Sequence, residues 1–244
     1  MSTKVVLSSE HRTSGTSSEG KIQLHGHLSG IYQMVDFTMT DNLYNVSENN
    51  NKVYVKVNNT TEHIVTLTNG FYSPSQLATE VKSQLDTIPS HTFTVTYASK
   101  TGKFTVAISG SNTFSFTYGS NTANSSRKLL GFKEENTSDA AQHTSPNVAD
   151  LNPYKVIYGS FEEDSFKHLA GGYQNGFVAS FGITGESTFG GVIRYVTPES
   201  ARQMLKFSKS PAMLSYRFID VNDRTVDFNG SDWIMTLEQP QLLM

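Results

Sequence analysis

Few side chains in this sequence could act together chemically, and their spacing argues against most such chemistry. His25 and His27 flank Gly26, so in an extended segment both imidazoles fall on one side, half of a metal site. No third ligand follows at a usable spacing. Glu162, Glu163 and Asp164 form an acidic run without the regular ligand spacing of a calcium loop, and a solvated loop is expected there. Gly171-Gly172 and Gly190-Gly191 lack the Lys-Ser/Thr that turns a glycine loop into a phosphate cradle, so both read as turns between strands. Arg202, Lys206 and Lys209 make a small basic patch, a faint signal in a chain of net charge −3. Tyr118 and Tyr173 beside glycine turns could stack on a sugar, although such tyrosines more often serve a core or an interface. GxSxG, the P-loop, GxGxxG and HExxH are missing. The expectation is no enzyme, with no catalytic residue, metal ligand or cofactor.

Composition narrows the class further. The chain has 244 residues, of which 36% are hydrophobic and 11% aromatic. The apolar share is below the roughly 45–50% of ordinary domains, but the aromatics suffice for a β core. Abundant Ser, Thr and Asn suit many turns and wet strand faces. The slight negative charge provides no global field for nucleic acid or an acidic membrane. Without cysteine there is neither disulfide nor thiolate chemistry. No stretch approaches the ~20 apolar residues of a membrane helix. The first residues lack a signal-like apolar core, so synthesis without a signal peptide is expected. Asn-x-Ser/Thr at Asn45, Asn58, Asn59, Asn124, Asn136 and Asn229 is then a by-product of composition.

The elements are mostly strands. Residues 1 to 21, rich in Ser, Thr, Gly and charge, read as a flexible N-terminal arm, with Val5, Val6 and Leu7 as a small patch that could order on a partner. Residues 22 to 244 then read as a single jelly-roll-like β domain. Ile31 to Met39 can form one strand. Val53, Val55 and Val57 alternate, Asn58-Asn59 turns the chain, and Ile64 to Thr68 returns. Ser73, Pro74 and Gln76 form a helix start with a capping box. Leu77, Ala78, Val81 and Leu85 then share one helical face up to Pro89. Phe93-Val95-Tyr97, Phe104-Val106-Ile108 and Phe114-Phe116-Tyr118 make a meander. Leu129-Leu130-Gly131-Phe132 is an apolar knot, and 133 to 150 reads as a long loop. Further strands are expected at 154 to 158, 176 to 183 and 190 to 196, with a second helix from Thr197-Pro198 to about Phe207. The end reads as strand, turn, short strand, turn, strand. Leu214, Tyr216 and Phe218 alternate, Asn222-Asp223 and Asn229-Gly230 turn, and Trp233, Met235 and Leu237 alternate again. About ten strands with two short helices favour a sandwich or jelly roll.

Two stretches carry a resemblance. One runs from Ile64 through Asn69-Gly70-Phe71-Tyr72-Ser73 into the helix, the Phe93–Ile108 hairpin and the Leu129–Phe132 knot. The other is Phe218-Ile219-Asp220-Val221-Asn222-Asp223-Arg224 through Trp233. Together they resemble penton and minor capsid proteins of large double-stranded DNA viruses, virophages and Polinton-type elements. The resemblance covers roughly residues 60 to 135 and 210 to 240. It implies a jelly-roll capsid subunit in the virion, at the vertex or in a minor position, with no catalytic residues. Its implied partners are further copies of itself, in a pentameric ring, and the major capsid protein. A viral attachment or lectin-like module on a β-sandwich is the alternative.

Overall fold

Alternation of apolar residues becomes strand almost wherever it occurs. The computed structural model describes residues 3–152, 154, 156–164, 177–182, 189–198, 202 and 204–240. Along the chain come β1 (Lys4–Ser8), β2 (Arg12–Gly15), β3 (Glu19–Gln23) and β4 (Gly30–Thr40). Then follow β5 (Lys52–Val57), β6 (Thr61–Thr66), helix α1 (Pro74–Leu85), β7 (Phe93–Ala98) and β8 (Lys103–Ile108). Next are β9 (Phe114–Phe116), the one-turn helix α2 (Arg127–Leu130) and β10 (Gln142–Thr144). Last are β11 (Val156–Phe161), β12 (Phe177–Gly182), β13 (Val192–Val196), β14 (Met204–Phe207), β15 (Met213–Ile219) and β16 (Trp233–Glu238).

The chain divides into two units. Met1–Leu43 with Tyr154–Met244 make the first, and Tyr44–Pro153 the second. Residues 22 to 244, expected as one jelly-roll-like domain, thus fall in both units. The reason is that the apolar residues between Val46 and Phe132 close on one another and form their own buried core.

The first unit is a jelly roll. Its pairing is nested and antiparallel: β1 with β16, β3 with β15, β4 with β13, and β11 with β12. A long hairpin rolled up in this way makes two facing sheets, here β1-β16-β4-β13 with β14 also on β4, and β12-β11-β15-β3-β2. Aromatic rings from both sheets meet in the middle. Phe37 and Trp233 come from one sheet, Tyr216 and Phe218 from the other. Centroid separations are 5.6 Å for Phe37–Phe218, 5.3 Å for Phe218–Trp233 and 5.0 Å for Tyr216–Trp233.

Lys4–Ser8 and Arg12–Gly15, expected within a flexible arm, are strands of this unit, joined by a 3-10 turn at Ser9–His11. Leu7 is buried in its core, and Ser9, Ser17 and Ser18 are buried polar residues. The Ser9 and Ser18 hydroxyls accept from the buried amides of Trp233 and Phe228 rather than solvate a tail. The expected second helix is also corrected over Met204–Phe207, which pairs with Gly30–Gln33 as a strand. Leu205 and Phe207 point inward at period two, the strand rather than the helix period. The expected short strand near Thr225 is reduced to a single bridge with Ile219. Its following turn forms as expected, with Asn229 and Gly230 both at positive φ, 48° and 79°.

In the second unit the sheets are β6-β5-β9 and β10-β8-β7. Helix α1 starts as its sequence dictates. The Ser73 hydroxyl accepts from the Gln76 amide and the Gln76 side chain accepts from the Ser73 amide. Its stripe, Leu77, Ala78, Val81 and Leu85, is buried. The apolar knot is α2 followed by Gly131 at φ 81°, which lets Phe132 turn back under it. Phe132 lies 4.5 Å from Phe116 between ring centroids. Within the expected loop 133 to 150, Gln142–Thr144 adds an edge strand to β8.

Candidate assembly surface

Of the residues singled out for chemistry, Tyr118, Glu163, Asp164 and Gly190 serve the fold. His25 and His27 are exposed, and His27 Nε2 shares a 2.7 Å hydrogen bond with the Ser29 hydroxyl. Among the described residues no group of three metal-ligating side chains forms. The acidic run is solvated only at Glu162. Glu163 accepts from the Ser215 amide at 2.9 Å and from its hydroxyl at 2.9 Å, and Asp164 accepts from the Lys206 amide at 2.8 Å. These carboxylates fasten the chain after β11 to β15 and β14. Gly190, at φ 81°, donates to the Asp41 carbonyl at 2.7 Å as part of a turn. Gly171, Gly172 and Tyr173 lie outside the described residues. Arg202 donates toward the Thr197 carbonyl at 3.4 Å, and Lys206 sits on strand β14. Tyr118 offers no face to a sugar. It is fully buried, stacked on Phe116 at 5.2 Å, with its hydroxyl 3.1 Å from Ser126 Oγ. Burial drives its pKa far up, more than the Ser126 contact lowers it.

The turn carrying Asp220 is a built device. Asp220 accepts from the amides of Asn222 and Arg224, and its other oxygen takes two guanidinium bonds from Arg224 at 2.9 and 2.6 Å. Burial raises the Asp220 pKa, but those hydrogen bonds and the Arg224 charge outweigh it, so the net shift is downward. The result is a rigid β15–β16 connection.

What remains is surface. Cross-strand register places Val6, Thr236, Asp36 and Val196 in one row across the outer side of the β1-β16-β4-β13 sheet. The next row is Ser8, Ile234, Thr38 and Arg194. Val6 is 65% exposed, Val192 67%, Val196 56% and Ile234 50%. Arg194 lies across β4 and donates twice to one Asp36 oxygen, at 3.1 and 2.7 Å. Lys4 and Glu238 pair at 3.7 Å in a third row. Apolar side chains thus stand in water beside charges already matched within the face, the composition of a contact surface rather than of an active site. The signal was present in the sequence. β13 is apolar in both phases of its alternation, and Ile234 is the apolar residue in the polar phase of β16.

The architecture thus defines the class: an all-β jelly roll with a second β-rich unit inserted between β4 and β11. The sequence matches no family model and no curated protein. Solved structures do match. The crystal structure of the mavirus penton protein aligns with a TM-score of 0.52 at 10% identity, covering 98% of each chain. A chain in the cryo-EM structure of the Sputnik virophage aligns at 0.49 and 12% identity, covering 98% of this chain and 97% of that one.

Proposed function

We propose that this chain is a structural virion protein, a jelly-roll penton or minor capsid protein that self-associates and contacts the major capsid protein. The observation that carries this reading is the end-to-end match of its fold, jelly roll and inserted unit together, to the mavirus penton protein. A shared fold alone does not transfer a role, and two features of this chain support the transfer. Glu163 and Asp164 are used to fasten strands, which is what a scaffold needs. One outer sheet face presents unburied apolar rows, which is what a subunit needs. In this reading the chain resides in the virion capsid, has no catalytic role, and closes with four further copies around a fivefold axis through head-to-tail contacts. The lectin-like alternative loses its described stacking ring, because Tyr118 is buried.

The test is the particle. The chain carries a label and is located by cryo-electron microscopy of intact virions. Density at the fivefold vertices supports the penton role. Density beneath or between the major capsomers assigns a minor cementing role. Absence from the particle overturns the reading.

A further inference from the structure

We propose that the outer face of the β1-β16-β4-β13 sheet docks a second copy of this chain face to face, about a two-fold axis parallel to the strands and between β16 and β4. The argument is the register and needs nothing from the capsid reading. An isologous contact sets each strand opposite its mirror position in the sheet, so β1 faces β13 and β16 faces β4.

Row by row, the partners complement one another. Val6 of one copy meets Val196 of the other, and the Thr236 hydroxyl meets the Asp36 carboxylate. In the neighbouring row Ser8 meets Arg194, and Ile234 meets the methyl of Thr38. In the third, Lys4 meets Met204 and Glu238 meets Gln33. No row sets like charge against like charge, the arrangement that would expel a second copy. Each copy already balances Arg194 with Asp36 and Lys4 with Glu238. The face therefore presents little field to nucleic acid or to a strongly charged protein, and a second apolar-striped face suits it. Two twisted sheets pack aligned at about 30°, which keeps the central rows opposed. On the opposite outer side of the sandwich, β3 and β15 carry Glu19, Lys21, Gln23 and Arg217, with Met213 as the exposed large apolar side chain among the described residues of those two strands.

The contact is small. Four strands ~4.8 Å apart and about five residues long cover roughly 300 Å² per copy. A stable complex buries roughly 800 Å² per partner. Association is therefore weak and appears at high local concentration.

A cysteine-free chain makes the test clean. Full-length Val6→Cys and Val196→Cys proteins are prepared separately, confirmed as folded by thermal melting, and treated alone and mixed with a short bis-maleimide. Sheets packed face to face set opposed Cα atoms about 10 Å apart, beyond a direct disulfide but within reach of that linker. The mixture is expected to yield a crosslinked dimer at least tenfold faster than either protein alone. Equal rates in the three samples, or no crosslink in the mixture, overturn the proposal. Sedimentation of the wild type from micromolar to millimolar concentration supplies the second measurement. The average mass should rise toward the dimer, and Val196→Asp should abolish the rise while Lys21→Glu on the opposite face keeps it. A rise untouched by Val196→Asp overturns the proposal. Failure here leaves the capsid reading standing, since that one is decided in the particle.

Discussion

The indole Nε1 of Trp233 donates a 2.7 Å hydrogen bond to the backbone carbonyl of Ser17. The same residue's amide donates to Ser9 Oγ at 3.0 Å, and that hydroxyl donates to Asp232 at 2.7 Å. The last strand is thereby tied to the first twenty residues from inside the core. Trp233→Phe keeps most of the apolar volume but leaves the Ser17 carbonyl buried without its partner. A loss of about 1–3 kcal/mol in urea unfolding is expected. A loss below ~0.5 kcal/mol would mean the bond is replaced by water.

Deletion of residues 1 to 8 removes β1 and the buried Leu7. It also bares the edge of β16. The cost should be at least that of a large-to-small core change, about 2–5 kcal/mol, read as a melting point lower by many degrees. An unchanged melting point would restore the mobile-arm reading.

Helix α1 is held by its stripe. Leu77 and Leu85 are both fully buried. Leu77→Ala and Leu85→Ala should each destabilise by roughly 2–5 kcal/mol in chemical denaturation. Values under ~0.5 kcal/mol would show that the helix face is not packed.

Gly131 and Gly230 separate backbone strain from crowding. Both have positive φ, 81° and 79°. A Cβ on Gly131 would lie 2.4 Å from the Asn147 carbonyl oxygen, whereas one on Gly230 meets nothing within 4 Å. Gly230→Ala should cost about 1 kcal/mol, the conformational term alone. Gly131→Ala should cost clearly more, because backbone must also move. Equal costs would show that Asn147 yields freely.

Asp220 has a lowered pKa in the folded chain. Its contribution is therefore present above the unfolded carboxylate value of ~3.9 and is lost as pH falls from there through the folded value. Asp220→Asn should be less stable than wild type at neutral pH, and the gap should narrow on acidification below about pH 4. A gap constant across that range would remove the Arg224 pairing as its cause.

Strand existence and the α1 cap were legible in the sequence because both depend on neighbours two to four residues away. Alternation at Trp233-Met235-Leu237 and the Ser73–Gln76 box need no distant partner to be read. The resemblance at Asp220–Arg224 likewise rests on a local turn. Partners far along the chain were not legible. Composition alone made residues 4 to 18 a tail, yet register with β16 and hydrogen bonds to Phe228 and Trp233 fold them into the sandwich. Met204–Phe207 looked helical until β4 offered it a sheet edge. The division into two cores depended on which apolar residues close on which, and hydrophobic attraction carries no address in sequence. Val6, Val196 and Ile234 form one face only after nested pairing has brought strands more than two hundred residues apart to adjacent positions. That juxtaposition belongs to tertiary structure, since register, not residue type, sets what stands beside what.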